Sequence, residues 1–301
     1  MSQTGASHGI DTAFPKDPRS VHSHFNLDPI TSHYLSCANC HKLYPYFGLE
    51  KTALNSSCSH TSTPDGPPCG TSLWKDRAVA GGQFRPVPVR VYQHQDLKSW
   101  VGRLICRPRM EKILDEYPLS QMGDDELAND VWGCEVFKNL KDSRGQPFVP
   151  GPQGEGRLVF SLSIDGFQTF GNKIAKQTAS STGIWMVLLN LPWYMRYLPE
   201  NIYLAGIIPG PNKPSTDEIN HYLELVVSDL LDFWGPGIFY SRTHECATGR
   251  LFRAMLVPLV CDMLSIRQVI AYANATTSHY FCMLCDLDID DIHFIDRQQW
   301  P

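Results

Sequence analysis

An apolar run at residues 158–166 constrains the fold of this chain most, because it ends on an acid followed by a glycine. Its β-branched and apolar residues predict a buried strand, and Gly166 marks the turn that leaves it. A second apolar run, at 251–262, closes on Asp262. The end of a central strand is where a ligand can reach the sheet. The two runs therefore predict a frame that brings Asp165 and Asp262 together around metal.

Four strands and two helices are predicted in this part of the chain. The strands span 158–164, 182–190, 201–208 and 251–260, and the helices span 216–233 and 265–273. The first helix carries its apolar residues on one face, with Ser215 or Thr216 as the cap and Glu218 in the first turn. The order β-β-β-α-β-α is typical of a ribonuclease H-like α/β fold. In that fold a helical crossover lays the fourth strand parallel to the first.

This order predicts that Asp165 and Asp262 lie on adjacent strands. Neighbouring strands are about 4.8 Å apart. Acids so placed can share or bridge ions about 3.5–4 Å apart, and such ions activate a water or a 3′-hydroxyl for phosphodiester attack. Anionic oxygen ligands favour Mg²⁺ or Mn²⁺. Taken singly, each acid is only weak evidence for a metal site, because most Asp-Gly pairs are turns and many acids after strands are helix caps.

Composition narrows the class of protein. Hydrophobic residues make up 43% of the 301 residues and charged residues 19%, which is typical of a globular protein with a real core. The net charge of -5 and the isoelectric point of about 6.1 exclude coating of nucleic acid through bulk charge, so DNA contact requires a local basic face. No apolar run approaches the roughly 20 residues needed to cross a membrane, and the N-terminus has no apolar signal core.

The chain is expected to divide into four regions. These are a disordered tail at 1–30, a cysteine-rich zinc-binding unit at 31–75, a helical linker region at 76–155, and the core at 156–301. Helices are predicted at 96–106, with Asp96 as the cap, and at 109–117. Without a secretory signal, the ten cysteines are better interpreted as metal ligands or core residues than as disulfides.

Four cysteines near the N-terminus form the first candidate metal site. Cys37 and Cys40 have the spacing at which two thiolates face one ion, and Cys58 and Cys69 can complete a tetrahedral zinc site. The segment is short and polar, so a structural zinc would stabilise a unit with little core of its own. His60 could replace Cys58. The alternative is a set of unligated cysteines in a loop.

A second candidate zinc site follows Asp262. Cys282 and Cys285 repeat the two-residue spacing, His279 is a third ligand, and His293 is a candidate fourth. The alternative interpretation is a pair of core cysteines beside a surface histidine.

An ordered series of short motifs, covering roughly residues 33–300, resembles one family. The motifs lie at 37–40 with 44–45, 107–108, 130–133, 140–145, 163–167, 189–192, 261–262 and 281–285. The most distinctive stretch runs from 196 to about 210, with Pro-Glu-Asn at 199–201 and Gly-Ile-Ile-Pro-Gly-Pro at 206–211. In this series the chain resembles Plavaka-type members of the CACTA-like, KDZ-related DNA transposases.

The resemblance implies a DDE/D transposase with a ribonuclease H-like core and divalent metal, which cuts DNA at transposon ends and joins it to a target. Asp165 matches the first acid and Asp262 the second, and Cys282 and Cys285 match a cysteine knuckle inserted after the second acid. The resemblance implies DNA as the partner, a nuclear location and possible self-association. No small-molecule substrate and no membrane are expected.

The family's third acid lies downstream, in a helix packed against the sheet, and this chain stops at Pro301. The predicted fold class is therefore α/β, a ribonuclease H-like mixed sheet incomplete at the C-terminus, with an N-terminal zinc-knuckle and helical region. The expected polypeptide is inactive by itself. The competing hypothesis is a zinc-containing nucleic-acid- or protein-binding module without catalysis. The two differ on whether Asp165 and Asp262 converge.

Overall fold

The computed structural model describes residues 17–48, 50–52, 55–123, 129–168 and 180–272, together with positions 279, 282, 288 and 290. These residues form a mixed α/β structure around an eight-stranded sheet, with a separate two-stranded hairpin of β3 and β4. The strands are β1 (Thr31–Ser36), β2 (Leu43–Pro45), β3 (Trp74–Ala78), β4 (Phe84–Pro88), β5 (Val91–Gln95), β6 (Glu155–Gln168), β7 (Ser180–Leu188), β8 (Ile202–Ile208), β9 (Ile238–Tyr240) and β10 (Arg250–Leu259). The α-helices are α1 (Pro18–His24), α2 (Leu97–Ile105), α3 (Met110–Gln121), α4 (Glu135–Lys138), α5 (Trp193–Arg196), α6 (Asn220–Trp234) and α7 (Met263–Val269).

The central strands have the arrangement that the element order predicts. β6, β7 and β8 are successive antiparallel neighbours. β10 lies parallel to β6 on the opposite side from β7. The connection from β8 to β10 contains α6 and the short strand β9. The predicted meander and parallel fourth strand are therefore confirmed.

The sheet is wider than the sequence predicted, with the order β2-β1-β5-β8-β7-β6-β10-β9. β2 and β9 each have three residues, too few to give a period-two signal. β5 meets β8 at the pair His94 and Gly206. A Cβ added to Gly206 would lie 2.5 Å from the backbone oxygen of Gln93, so glycine permits this close approach. The cysteine-rich region and the predicted core thus share one sheet.

One continuous apolar core lies between these strands and helices α2 and α6. On α2, Trp100 packs edge-on against Tyr203 of β8 and lies near Phe160 of β6. On α6, Tyr222 and Phe233 are completely buried. Full burial of one large apolar side chain is worth about 1.5–3 kcal/mol, so this shared core fixes the relative positions of the strands.

The observed helix ends refine the predicted ones. α6 begins at Asn220, four residues later than predicted, and the turn ahead of it at 216–219 contains a reciprocal capping box of Ser215 and Glu218. The Glu218 carboxylate accepts from the Ser215 amide at 2.7 Å, and the Ser215 hydroxyl accepts from the Glu218 amide at 3.4 Å. Asp96 caps α2 as predicted, by accepting from the Ser99 amide at 2.6 Å.

Some expectations concern positions outside the described residues. These are residues 1–16 of the predicted tail, Cys285, His293 and the last position of the helix predicted at 265–273. Within the described ranges, no helix combines the length and the apolar character required to span a bilayer.

Candidate functional site

The pairing of β6 and β10 sets the relative heights of the two acids. From Leu251 to Leu256, each β10 residue is paired with the β6 residue 96 positions earlier, but Leu259 is paired with Leu162, 97 positions earlier. The extra residue is a β-bulge that includes Pro258, which is a typical place for proline inside a sheet. Continued past Leu259, the shifted register places Asp262 level with Asp165.

Without the bulge, Cys261 would be level with Asp165, and the side chain of Asp262 would be turned to the other face. Contacts beyond Leu259 agree with the shifted register, since the Val260 amide donates to the Leu162 oxygen at 2.8 Å. The hydroxyl of Ser163 donates to the Val260 oxygen at 2.7 Å. A one-residue irregularity in β10 thus sets the height at which the residues after that strand pass Asp165.

The Cys261 thiol lies close to both acids. Burial raises the pKa of this thiol, and the negative charges of Asp262 and Asp165 raise it further. Both carboxylates are therefore within electrostatic range of one sulfur atom. Both aspartates are exposed, so a ligand can approach them from solvent.

Asp262 also acts as a helix cap. Its carboxylate accepts from the Ser265 amide at 2.6 Å, at the first turn of α7. Hydrogen bonds from Ser265 hold the pKa of Asp262 below its usual range, and the Lys213 ammonium lowers it further. The surroundings thus favour the ionised carboxylate, but one of its oxygens already has a partner.

Lys213 is a member of this site that the sequence analysis missed. A Cβ added to Gly166 would lie 2.8 Å from the Lys213 amino nitrogen, so that amine lies over the glycine next to Asp165. Lys213 is exposed and lies in a proline-rich loop between β8 and α6. No local pattern indicates it, because its nearness to the acids depends on the long-range path of that loop.

Chemically, the arrangement offers anionic oxygens beside one ammonium group. Carboxylates of this kind suit hard divalent cations, and the ammonium group is suited to a phosphate oxygen. Two groups of three or more potential metal-ligating side chains occur among the described residues, and neither includes Asp165 or Asp262. In the described part of the chain the acids are thus a pair without a third ligand.

The N-terminal cysteines form a compact group. The four sulfur atoms of Cys37, Cys40, Cys58 and Cys69 all lie within 4.8 Å of one another. Cys37 and Cys69 are 3.8 Å apart, and Cys40 and Cys58 are 3.4 Å apart. Tetrahedral zinc with bonds of about 2.3 Å requires sulfurs about 3.8 Å apart. The group could therefore hold a metal such as zinc, and we call it the four-cysteine cluster.

The same distances exclude a disulfide, in which sulfurs are about 2.05 Å apart, and all four thiols are free. Cys37, Cys40 and Cys58 are buried. Burial raises the pKa of the Cys40 and Cys58 thiols. For Cys69, hydrogen bonds from Thr71 and Asn39 outweigh the burial effect and lower the pKa to about 6. Several thiolates buried together require a cation, which is the chemistry of a structural metal site.

Backbone hydrogen bonds hold Cys58 and Cys69 side by side. The Cys69 amide donates to the His60 oxygen at 2.7 Å, and the Gly70 amide donates to the Cys58 oxygen at 2.9 Å. Gly70 has a φ of +70°, a conformation that glycine adopts without strain. The His60 ring packs edge-on against His221 and is not in the group of ligands. Of the two alternatives left open by the sequence, the structure places Cys58 in the cluster.

A buried tyrosine links the four-cysteine cluster to helix α6. The Tyr222 hydroxyl is 2.7 Å from the Ser36 hydroxyl and 2.9 Å from His41 Nδ1. Ser36 and His41 flank the Cys37–Cys40 turn in sequence, and both are 1% exposed. The cluster is thus fastened to the same helix that packs on the central strands.

The second candidate zinc site has a different composition in the described residues. His279 Nε2 lies 3.1 Å from an Asp288 carboxylate oxygen, and Asp290 completes a group of three potential ligands. Cys282 is outside that group, and its backbone oxygen accepts from the Tyr272 hydroxyl at 2.9 Å. Cys285 and His293 are not among the described residues. The described ligands around His279 are therefore carboxylates.

Comparison with known proteins gives one family. The model of transposase family tnp2 matches residues 150–300, which include both acids and strands β6 and β10. Among curated proteins, none matches the chain in sequence.

Proposed function

Because the chain belongs to transposase family tnp2, we propose that residues 156–301 are a DDE/D polynucleotidyl transferase core of ribonuclease H-like fold. The proposed reaction is cleavage of DNA strands and their joining to a target, with Mg²⁺ or Mn²⁺. Within the family, the motif series favours the Plavaka-type, CACTA-like subgroup. DNA is the proposed partner, self-association through further copies is proposed, and the proposed location is the nucleus.

The observation that carries this proposal is the register of β6 and β10. Asp165 lies on β6, and the register shift between Leu256 and Leu259 of β10, continued three residues past the end of that strand, puts Asp262 level with Asp165. Two exposed acids so placed, inside the segment that matches a transposase family, are better explained by shared chemistry than by two unrelated caps.

In this mechanism, the carboxylates of Asp165 and Asp262 would hold the divalent metal. That ion would supply activation of a water or a 3′-hydroxyl and stabilisation of the leaving oxygen of the phosphodiester. Lys213 lies beside the acids and orients the phosphate by contact with one of its oxygens. In the described part of the chain the pair has no third carboxylate of the kind that completes a DDE/D site, so we expect its metal binding to be weak.

We further propose that the four-cysteine cluster binds a structural zinc. Its sulfurs are mostly buried and spaced for a tetrahedral ion, with no open position for a substrate. Cys282, Cys285 and His279 remain the proposed second zinc knuckle, with His293 as the candidate for its fourth ligand. Elemental analysis of the whole chain tests both zinc proposals, and we expect two zinc ions per chain.

The alternative function is a zinc-containing nucleic-acid- or protein-binding module without catalysis. One observation favours it: Asp262 accepts a hydrogen bond from the Ser265 amide, as a helix cap does. A cap needs one carboxylate oxygen, whereas metal binding needs an oxygen free of that bond. The two functions therefore predict different metal binding by the exposed acids.

The test is a titration of the purified chain with Mn²⁺, followed by electron paramagnetic resonance. Our proposal predicts binding with a dissociation constant on the order of millimolar, which both Asp165→Asn and Asp262→Asn weaken strongly. Asp76→Asn, an exposed acid on the separate hairpin, is the matched control and leaves binding unchanged. Equal Mn²⁺ binding in all four proteins contradicts the proposal and supports the binding module.

A second measurement uses supercoiled plasmid DNA with Mg²⁺. We expect little or no nicking, because no third acid joins this pair among the described residues. Nicking that Asp165→Ala abolishes would show that the two acids suffice and that the expected incomplete site is wrong.

A further inference from the structure

Three arginines line a small cavity at the other end of the central strands. Arg157 of β6 and Arg253 of β10 are paired across the sheet, and Arg144 comes from the loop before β6. The cavity has a volume of about 160 Å³. Arg157 is eight residues before Asp165 on the same strand, which corresponds to roughly 26 Å along an extended chain. The cavity is thus distinct from the strand-end acids.

Arg157 is buried with its hydrogen-bonding capacity incompletely used. Its exposed fraction is 6%, and its Nε and Nη1 atoms have no partner within the described residues. Its Nη2 atom donates to the Glu155 carboxylate at 2.7 Å. An unpaired donor on a buried charged group costs more free energy than a typical hydrogen bond gains. Such an arginine is usually explained by a ligand or water that supplies the missing acceptors.

Packing holds the Arg157 guanidinium in place. Its central carbon lies 5.0 Å from the ring centre of Phe148, in a cation–π contact. A Cβ added to Gly151 would lie 2.4 Å from Arg157 Nε, so the backbone passes directly over the guanidinium. A rigid guanidinium loses little entropy when it binds a ligand, which is the property of a preorganised site.

The acids of the cavity do not neutralise the arginines. Glu155 is shared, since its Oε2 atom lies 2.7 Å from Arg157 and 3.4 Å from Arg253. Asp142 accepts from the backbone amides of its own turn, at 2.9 Å from Arg144 and 3.0 Å from Gln146. Three guanidinium groups therefore face two carboxylates, and one positive charge remains.

We propose that this cavity, which we call the arginine cavity, binds a phosphate group through Arg157, Arg253 and Arg144. A phosphate has the negative charge and the several acceptor oxygens that a buried arginine fork and a second guanidinium can satisfy together. The phosphate can belong to the DNA backbone or be free in solution. The first source rests on the proposed function, whereas the site itself does not.

The test is calorimetric titration of the whole chain with inorganic phosphate in a buffer of low ionic strength. We expect one phosphate per chain, and about a tenfold loss of affinity in Arg253→Gln and in Arg144→Gln, since each removes a charged hydrogen bond. Arg144 is exposed, so its replacement leaves the fold intact. Arg157→Lys keeps the charge but not the fork, and we expect it to weaken binding as well.

Arg85→Gln is the matched control, because Arg85 is an exposed arginine on the separate β3–β4 hairpin. It should bind phosphate as the unmodified chain does. Absence of phosphate binding by the unmodified chain overturns the proposal. Equal weakening by Arg85→Gln overturns it too, because the effect would then be one of net charge.

The source of the phosphate is found with a fluorescein-labelled DNA duplex, followed by anisotropy. If the DNA backbone is the ligand, inorganic phosphate competes with the duplex, and Arg144→Gln weakens DNA binding and reduces its salt dependence by about one ion. If phosphate binds but duplex binding is unchanged in that variant, the ligand is a free phosphate group. Asp165→Asn should leave phosphate binding intact, so failure of the proposed catalysis and failure of this cavity are distinguishable.

Discussion

The four-cysteine cluster and the strand-end acid pair are both candidate metal sites, but they differ in every physical respect. The cysteine sulfurs are gathered and mostly buried, and the cluster is tied to α6 through Tyr222. The acids are exposed, one on β6 and the other just past the end of β10, and share their surroundings with Lys213. The comparison teaches that a site whose metal stabilises the fold is closed, whereas a site that must admit a substrate is open.

This difference predicts that loss of metal has opposite consequences at the two sites. Removal of the metal from the four-cysteine cluster should affect stability first, because the ion would hold together a segment whose own core is small. Removal of the metal at the acids should affect binding and chemistry with little change in stability. The following substitutions, in order of decreasing effect, test that separation.

The largest effect is expected for Cys40→Ser. A hydroxyl is a poor zinc ligand, so the ion is lost and the free energy of unfolding falls by more than about 4 kcal/mol. Elemental analysis measures the zinc, and thermal unfolding measures the stability. A chelator added to the unmodified chain should give the same destabilisation. Cys106→Ser, at an exposed and isolated cysteine, is the control and should change neither quantity.

The second largest loss of stability is expected for Tyr222→Phe. Burial raises the pKa of Tyr222, so its hydroxyl stays protonated between Ser36 and His41. Its removal leaves buried polar groups without a partner and costs about 1–3 kcal/mol of stability. Zinc affinity should fall as well, because both partners flank the Cys37–Cys40 turn.

Tyr240→Phe is the matched control for that coupling. The Tyr240 hydroxyl donates to the Lys98 oxygen at 2.7 Å, away from the cysteines. The Tyr240→Phe variant should lose some stability, and its zinc affinity should not change. If both variants lose zinc equally, the link between α6 and the four-cysteine cluster is not specific.

A smaller effect separates the two roles of Asp262. Asp262→Ala removes the cap of α7 and should cost about 1 kcal/mol, whereas Asp262→Asn keeps a capping side chain and should cost almost nothing. Both variants should lose Mn²⁺ binding. Denaturant unfolding and Mn²⁺ titration measure the two properties separately. If Asp262→Asn retains full Mn²⁺ binding, this residue is a cap and not a metal ligand.

The smallest effect is expected for Lys213→Gln. The Lys213 ammonium contributes to the lowered pKa of Asp262, so its loss should move that pKa upward, towards the ordinary value for aspartate. Carbon-detected NMR titration of the Asp262 carboxyl measures the change. Because the pair is exposed, stability should change by no more than about 0.5 kcal/mol. Lys75→Gln, on the β3–β4 hairpin, should leave the titration of Asp262 unaltered.

Local patterns were sufficient for several parts of this protein. The four central strands and α6 follow from apolar runs and helical periodicity, and the capping box of Ser215 and Glu218 follows from residue type and spacing. The grouping of Cys37 with Cys40 follows from their separation of three positions. Each of these features depends on residues close together in sequence, where backbone geometry fixes the relation between side chains.

Other features needed the tertiary structure. The register shift near Pro258 changes which residues after β10 come level with Asp165, because a shift of one residue turns every side chain of a strand to the opposite face. The choice of Cys58 over His60, the position of Lys213 and the incomplete pairing of buried Arg157 depend on segments far apart in sequence. The sequence by itself determined which elements form and which residue types end them. Only the packing of those elements decided which side chains meet, because long-range register is set by the whole core and not by any local pattern.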